Sequence, residues 1–365
     1  MRILIIDNSS IIVKDGRHYT NALNGLFIDE LIALGNCLTY FQFNSTNSNN
    51  ISSFDLEEHG VECISLTPRK NKFLTYLTSY IKVIKVIKAS DFVYLYYPNS
   101  FKYVAVLCTM IRKRYGLYIR GMNGVNNSFS KNIYKRAYTI FTVSDYFTNM
   151  VNSLTHKEIA HTIRPMIPYN DADIVPQRKY CSNGEYVILF LGRVAKDKGL
   201  VELIYATKRL SNMGCHFKLK IVGSGELYSE LSDMIKTLDL DNVVNLEGPV
   251  YNNDKKADYY KQADIYILPT YHEGFPRTLY EAMIFGTPII TTFVGGIPAL
   301  MKDKVNCLQI KPKSVESIVE GLYFAFNNYI QMCQFAMNAK ETVRPIIDSK
   351  RPTHAQHLNQ ILTKM

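Results

Sequence analysis

Short apolar runs alternate along this chain with longer stretches in which apolar residues recur every three or four positions. Uninterrupted apolar runs are typical of buried parallel strands, and the longer pattern is typical of the helices that connect them. The predicted strands lie near residues 2–7, 38–43, 61–65, 91–97, 117–120 and 139–143, and then near 186–192, 217–223, 243–247, 264–269 and 288–292. This alternation indicates an α/β fold with parallel sheets.

The segment between the two series of strands has a different composition. From Arg164 to Gly184 it is rich in Pro, Asp and Asn and shows no periodicity, so we place the domain boundary there. After about residue 330 the pattern is helical, with breaks expected at Pro345 and Pro352. The predicted divisions are an N-terminal domain in residues 1–170, a C-terminal domain in 183–345 and a final helix in 346–365.

Two carboxylates separated by seven residues follow the apolar run that ends near residue 269. Glu273 is predicted in a strand-to-helix loop, and Glu281 about one turn into the next helix. Both then face the crevice at the carboxyl end of a parallel strand, where open α/β sheets bind ligands. Carboxylates accept hydrogen bonds from hydroxyls, which suits a ribose or a hexose. The alternative is an exposed loop acid followed by an acid that favours the helix dipole.

Two cations follow an earlier strand in the same way. Arg193 leaves the strand at 186–192, and Lys198 precedes a helix predicted from Leu200 to Leu210. A planar guanidinium and a point charge can together neutralise a diphosphate without a metal. The alternative is that both cations are solvated at the surface. The glutamate pair downstream makes this alternative less favoured.

Four motifs in this order resemble the C-terminal half of the family 4 (group 1) retaining glycosyltransferases. They are Gly192-Arg193 with Lys198-Gly199, Ile221-Val-Gly-Ser-Gly225, Glu273-Gly-Phe-Pro276 with Glu281, and Gly295-Gly-Ile-Pro298. The resemblance covers roughly residues 186–330. It implies the GT-B fold, in which two Rossmann-like, doubly wound parallel-sheet domains face each other across a cleft. It also implies a UDP- or GDP-sugar donor.

The resemblance further implies roles for single residues. Arg193, Lys198 and Glu273 are the catalytic candidates: the cations hold the diphosphate and stabilise the departing nucleotide, and Glu273 grips the transferred sugar. Glu281 accepts from the ribose hydroxyls, and the backbone around Val250 meets the base. The full set of donor-binding candidates is Gly192, Val250, Gly274, Phe275, Pro276, Thr278, Leu279 and Glu281.

The N-terminal half departs from the family pattern. Its donor loop usually holds paired glycines, whereas Asp15-Gly16-Arg17 offers only Gly16. Arg120 stands where a histidine often ends the central strand, and either assists an anionic group or lies on the surface. In the C-terminal half, Ala299 replaces a common acid and Val305-Asn-Cys307 lacks the usual glycine.

No cofactor or metal is expected. Asp171-Ala-Asp173 and Asp239-Leu-Asp241 fit a metal-binding D-x-D pattern, but neither follows an apolar strand. The seven scattered cysteines form no C-x-x-C pair, which argues for a reducing compartment. The apolar N-terminus is too short for a signal peptide, and no run approaches the ~20 residues that cross a bilayer. We expect a cytoplasmic protein, either soluble or peripheral on the inner face of the cell membrane.

Positive charge is concentrated in residues 69–136, where fourteen Lys or Arg stand against one acid, Asp91, in a chain of net charge +10. Residues 73–88 predict a helix with lysines on one face. These lysines are Lys82, Lys85 and Lys88. The segment is either an ordinary crossover helix or a basic surface that docks on anionic lipid, where it meets a lipid-linked saccharide acceptor.

The favoured hypothesis is a retaining, metal-independent glycosyltransferase that moves a sugar from a nucleotide-diphosphate sugar to a saccharide acceptor in bacterial capsule or O-antigen assembly. A GT-B epimerase that rearranges a nucleotide sugar is one alternative, and an inactive nucleotide-sugar-binding scaffold is another. A nucleic-acid-binding protein is suggested by the isoelectric point of 9.0. The sequence shows no helix-turn-helix or similar module, so no nucleic-acid partner is expected.

Overall fold

The computed structural model describes residues 1–45, 52–120, 127–176 and 185–365. The chain forms two compact units. The N-terminal unit comprises Met1–Met166 with Pro352–Met365, and the C-terminal unit comprises Ile167–Arg351. Residues 177–184, part of the predicted boundary segment, lie outside the described residues.

The strands and helices alternate in chain order. The strands are β1 (Arg2–Ile6), β2 (Ile12–Lys14), β3 (Arg17–Thr20), β4 (Cys37–Phe43), β5 (Phe54–Asp55), β6 (Glu62–Leu66), β7 (Phe92–Tyr97), β8 (Tyr115–Ile119), β9 (Thr139–Thr142), β10 (Ala160–Thr162), β11 (Tyr186–Leu191), β12 (Phe217–Val222), β13 (Val244–Gly248), β14 (Ile265–Leu268), β15 (Ile289–Thr292) and β16 (Leu308–Ile310). The helices are α1 (Ala22–Ala33), α2 (Lys72–Ala89), α3 (Val104–Met110), α4 (Ser128–Arg136), α5 (Asp145–Thr155), α6 (Leu200–Asn212), α7 (Tyr228–Thr237), α8 (Asn253–Gln262), α9 (Arg277–Ile284), α10 (Val315–Asn327), α11 (Tyr329–Ile347) and α12 (His354–Leu362).

The N-terminal unit is built on a parallel sheet in which the described strands follow the order β10-β9-β8-β7-β1-β4-β6. All six residues of β7 are buried. Val93 and Leu95 enter the core on one face of the sheet, and Phe92 and Tyr94 enter the core on the other. A strand covered on both faces has to be apolar throughout, which is why its sequence shows no alternation.

The C-terminal helix α12 belongs to the N-terminal unit. Its residues Ala355, Leu358 and Leu362 are buried in the same core as α1. Asn36, just after α1, donates from its side-chain amide to the Asn359 side chain at 2.9 Å. The apolar face of α12 therefore completes one face of the N-terminal sheet.

The C-terminal unit is also built on a parallel sheet, with described strands in the order β13-β12-β11-β14-β15-β16. The strand order places β11 directly beside β14, although more than 70 residues separate them in the chain. Because the strands are parallel, the loops that follow β11 and β14 meet at the same edge of the sheet.

All eleven predicted strands are present within one or two residues of their predicted bounds. The prediction that the last helices break at Pro345 is wrong, because α11 continues to Ile347. A proline lacks the N–H that would donate to the carbonyl four residues earlier. Only two helical residues follow Pro345, so this loss falls in the last turn, where the helix is ending anyway.

Candidate functional site

The two charged motifs of the C-terminal unit meet where β11 and β14 end. The Lys198 ammonium forms a hydrogen-bonded ion pair with the Glu273 carboxylate. Lys198 is 11% exposed and Glu273 18% exposed in their side chains, so the pair is largely withdrawn from water. The pairing of neighbouring parallel strands thus brings residues 75 positions apart into direct contact.

Asp197 connects this pair to Arg193. The Arg193 guanidinium donates to both Asp197 oxygens at 3.1 and 3.2 Å, and the Lys198 ammonium lies 3.3 Å from the Asp197 carboxylate. Arg193 keeps 61% of its side chain exposed. The four charges, two of each sign, form one network whose outer member faces solvent, and we refer to it as the charged cluster.

Backbone contacts hold the two loops of the charged cluster together. The Tyr271 N–H donates to the Asp197 carbonyl at 2.8 Å, and the Thr270 hydroxyl donates to the same carbonyl at 3.1 Å. The Thr292 hydroxyl of β15 in turn donates to the Thr270 carbonyl at 2.7 Å. Because these hydrogen bonds fix the two loops, the charged residues that the loops carry lose little conformational entropy when a ligand binds.

Gly295 fixes the position of the Glu273 loop. Its φ is +58°, in the left-handed region, and a Cβ at this position would lie 1.7 Å from the Glu273 carbonyl oxygen. The next residue, Gly296, donates its N–H to the Gly274 carbonyl at 2.7 Å. The Gly-Gly-Ile-Pro motif therefore lets the loop after β15 approach the loop that carries Glu273 more closely than any residue with a side chain could.

Glu281 lies in the second turn of α9 and is 7% exposed. The Tyr260 hydroxyl donates to its carboxylate at 2.8 Å. Burial raises the pKa of Glu281, and the hydrogen bond from Tyr260 partly opposes that rise. Burial also raises the pKa of Tyr260 well above its ordinary value, so the hydroxyl remains protonated and able to donate.

Glu281→Gln is expected to be more stable than the wild type, by an amount that grows as the pH rises. A raised carboxyl pKa means that the native state holds its proton more tightly than the unfolded chain, so stability falls as pH rises from the unfolded value of about 4.3 through the native pKa. Glutamine accepts from Tyr260 without ionising and removes this loss. The gain in urea midpoint of Glu281→Gln over wild type should be larger at pH 7.5 than at pH 4.

Glu316 provides the matched control with the opposite sign. It is an exposed carboxylate whose pKa is lowered by the hydrogen bond from Arg209. Glu316→Gln should therefore lose stability relative to wild type as pH rises from the lowered native pKa to the unfolded value, a window that lies below that of Glu281. An equal pH dependence for the two variants would contradict the burial of Glu281.

The other predicted donor-binding residues lie around the first turn of α9 or at neighbouring strand ends. Phe275 and Leu279 are buried, and the Phe275 ring packs against that of Tyr280 at 4.5 Å. Their side chains therefore belong to the core of the C-terminal unit. The remaining candidates, at strand ends or beside the start of α9, are Gly192, Gly274, Pro276, Thr278 and Val250.

In the N-terminal unit, Gly16 lies with Asp15 in the two-residue turn of the hairpin β2–β3. Both residues have positive φ, at +50° for Asp15 and +77° for Gly16, as a type I′ turn requires. Arg120 follows β8 and donates to the Asn8 side chain at 3.2 Å, with its guanidinium 5.9 Å from the Tyr118 ring. The positive φ that this turn requires explains why a glycine stands at position 16.

In the first D-x-D sequence both aspartates accept hydrogen bonds from backbone N–H groups, and the second lies in a loop. Asp173 accepts from the Asn170 N–H at 2.8 Å, and Asp171 accepts from the Ser349 N–H at 2.9 Å. Asp239 and Asp241 lie in the loop between α7 and β13. Within the described residues there is no group of three His, Cys, Asp or Glu side chains arranged to hold a metal ion.

Sequence reasoning missed two residues of this site, Asp197 and Tyr260. Asp197 stands four residues after Arg193 inside the same motif, so the spacing of a helical-type ion pair was a usable signal. Tyr260 lies in α8, 21 residues before Glu281, and no sequence pattern connects the two. Such a partner emerges only from packing.

Comparison with known proteins shows which proteins this chain is similar to. Residues 174–342 match the family model of the glycosyl transferases group 1. The chain is 33% identical over 159 residues to an uncharacterised glycosyltransferase of Methanocaldococcus jannaschii, a match covering 44% of this chain and 40% of that protein. It is 33% identical over 116 residues to CapM, a capsular polysaccharide biosynthesis glycosyltransferase of Staphylococcus aureus, covering 31% of this chain and 30% of CapM.

The likeness in structure extends over the whole chain. The crystal structure of Anabaena HepE in complex with UDP matches 100% of this chain and 99% of that one, with a TM-score of 0.68 and 17% sequence identity. The predicted fold class, two Rossmann-like parallel-sheet domains of GT-B type, is confirmed. The predicted resemblance of the C-terminal half is confirmed as well, although the matched stretches span less than half the length of the two sequence relatives.

Proposed function

We propose that this chain, whose residues 174–342 match the family model of the glycosyl transferases group 1, transfers a sugar from a nucleotide-diphosphate sugar to a saccharide acceptor with retention of configuration. The charged cluster carries this proposal, because it joins the two motifs of the resemblance through the Lys198–Glu273 ion pair. The exposed Arg193 guanidinium and the oriented Lys198 ammonium suit a diphosphate.

The proposal gives each residue of the site a role in binding or catalysis. Arg193 and Lys198 bind the diphosphate and stabilise the negative charge that grows on it as the sugar leaves. Glu273 orients Lys198 and accepts a hydrogen bond from a hydroxyl of the transferred sugar. Glu281, oriented by Tyr260, accepts from the ribose, and the backbone near Val250 meets the base.

The acceptor is proposed to be a growing bacterial surface polysaccharide. The likeness to CapM, which is a capsular polysaccharide biosynthesis glycosyltransferase, supports this class of acceptor. Product analysis separates transfer from rearrangement of the donor. A glycosylated acceptor supports the proposal, and an isomerised nucleotide sugar without an acceptor product would favour an epimerase.

Transfer is expected to survive the removal of divalent metal, because Arg193 and Lys198 supply the positive charge at the diphosphate. Activity measured with and without EDTA should agree within a factor of about two, whereas Arg193→Ala should lose most of its turnover. Lys196, an exposed neighbour in the same turn, gives the control variant Lys196→Ala, which should keep it. Complete inhibition by EDTA that Mg²⁺ reverses would contradict metal independence.

The basic surface of the N-terminal unit supports a membrane-associated acceptor. Helix α2 buries Thr75, Ser79, Val83 and Ile87 and exposes lysines toward its carboxyl end. Its outer face also exposes large apolar side chains, with Phe73 at 73% as the extreme. The other exposed apolar residues of this face are Leu74, Leu77 and Ile81.

The solvent-facing side of an ordinary crossover helix is polar. Exposed apolar residues beside lysines on α2 therefore favour docking on a lipid surface. The high positive charge of residues 69–136 suits anionic lipid in particular. We therefore propose that α2 rests on the inner face of the cell membrane and brings the enzyme to a lipid-linked acceptor. Within the described residues, no helix is both long and apolar enough to cross the bilayer.

Replacing Lys82, Lys85 and Lys88 together by glutamate is expected to weaken binding to anionic vesicles by at least about 100-fold, at ~1 kcal/mol per cation. Co-sedimentation with phosphatidylglycerol vesicles measures this, and rising salt should release the wild type. The same charge change at three exposed lysines of the C-terminal unit, Lys255, Lys302 and Lys311, is the control and should bind as wild type. Equal binding of wild type to neutral and anionic vesicles would contradict the proposal.

A further inference from the structure

The N-terminal unit contains a cavity of about 740 Å³, and none of the described residues that line it is a donor-binding candidate. It opens where β7 ends, at Pro98 and Asn99, beside the first turns of α2 and α4. Its volume falls within the ~300–1,000 Å³ of ordinary ligand pockets. Its place at the carboxyl end of a central parallel strand is where open α/β sheets bind ligands.

Aromatic rings form the wall of this cavity. Tyr76 and Tyr80 have ring centroids 6.5 Å apart, Tyr80 and Tyr103 6.4 Å, and Tyr103 and Phe129 5.4 Å, so four rings touch in sequence. Apart from Pro98, no aliphatic side chain is among the described residues that line it. The negative faces of aromatic rings attract polarised C–H groups, such as those of a pyranose ring. An acyl or isoprenoid chain would find no Leu, Ile or Val wall here.

The cavity is also positively charged. Lys72 and Lys102 line it, and no lining residue that the structure describes is acidic. The Lys102 ammonium lies 5.2 Å from the Tyr103 ring centroid and 5.9 Å from that of Phe129. Neither lysine has a carboxylate partner within 4.0 Å among the described residues. Two cations without a counter-ion favour an anionic ligand.

We propose that this cavity is a subsite for a sugar ring that bears an anionic group. The ring packs on the wall formed by Tyr76, Tyr80 and Tyr103, and the anionic group lies between Lys72 and Lys102. Ser100, which also lines the cavity, offers a hydroxyl for hydrogen bonds to the sugar. This inference rests on the proposed function, because it makes the acceptor of the transferase an acidic saccharide or a sugar phosphate.

Calorimetric titration of the full chain with three probes tests the inference. A hyaluronan tetrasaccharide carries uronates, N-acetylglucosamine 1-phosphate carries a phosphate, and maltotetraose is neutral. At least one anionic probe should bind about ten-fold tighter than maltotetraose, and the better of the two identifies the source of the charge. Lys102→Ala should remove most of that preference, and Tyr103→Ala should weaken binding of the favoured probe about ten-fold. Maltotetraose binding as tightly as both anionic probes would overturn the inference.

A matched control and a second readout keep the test independent of folding and of the donor site. Tyr323→Ala removes another half-exposed tyrosine, in the C-terminal unit, and should leave all titrations unchanged. Lys102→Ala and Tyr103→Ala should keep the wild-type unfolding temperature and the wild-type affinity for nucleotide sugars. Donor binding in the wild type without binding of either anionic probe overturns this subsite alone. Failure of the wild type to bind any nucleotide sugar overturns the proposed function instead.

Discussion

Lys198→Ala is expected to lower kcat about 10²–10³-fold, the usual cost of losing one preorganised group that stabilises developing negative charge. Lys198 is the buried cation of the charged cluster, held by Glu273 and Asp197, so its ammonium is already positioned before the donor binds. Steady-state transfer kinetics at saturating donor measure this effect. Lys196→Ala, which removes an exposed lysine two residues earlier, should stay within about two-fold of wild type.

A double variant separates electrostatic catalysis from a merely structural role. Removing Lys198 leaves the Glu273 carboxylate largely buried without its partner, which is itself costly. Neutralising that carboxylate in Lys198→Ala/Glu273→Gln should restore the unfolding temperature but not the turnover. Recovery of turnover in the double variant would contradict a direct role for Lys198 at the diphosphate.

Gly295→Ala is expected to weaken donor binding strongly while the fold persists. Its φ of +58° makes alanine cost ~1–2 kcal/mol, and the added Cβ would lie 1.7 Å from the Glu273 carbonyl oxygen. Because that atom is backbone, the loop has to move, and Glu273 leaves the position in which it meets Lys198. Calorimetric titration with the donor should show affinity reduced by at least about 100-fold.

Gly214 offers a closely matched control for this substitution. It lies in the same unit with a φ of +79°, but a Cβ there would meet nothing within 4 Å. Gly214→Ala therefore carries the same backbone cost without displacing a neighbour. It should lose only the stability that the positive φ costs and should keep wild-type donor affinity. Equal donor affinity in the two variants would show that the loop after β15 does not position Glu273.

The parallel sheets were predictable because their strands are buried on both faces. Residues 3–6 of β1 and all six residues of β7 are aliphatic or aromatic and buried, so both runs stand out from the sequence. The short strands β2, β3, β5, β10 and β16 were not predicted. The two-residue strand β5, for example, is defined by its partner residues Tyr19 and Thr20 and carries too few residues for a pattern.

The site was predictable as a set of motifs but not as a set of contacts. Arg193, Lys198, Glu273 and Glu281 follow strands, and the rule for open α/β sheets places such residues at one edge. That Lys198 pairs with Glu273, and that Tyr260 holds Glu281, depends on how β11, β14 and α8 pack. The aromatic cavity escaped prediction for the same reason, because its rings come from α2, α4 and the loop after β7.

The central claim is that the charged cluster of the C-terminal unit binds a nucleotide-diphosphate sugar. The most direct test is the unfolding temperature of wild type and Lys198→Ala across a concentration series of UDP- and GDP-sugars. A bound ligand stabilises by mass action, about 2.7 kcal/mol at 100 times its Kd. We expect at least one nucleotide sugar to raise the midpoint of the wild type with concentration and to leave that of Lys198→Ala unchanged. An absence of any shift in the wild type, or the same shift in both proteins, would contradict the account.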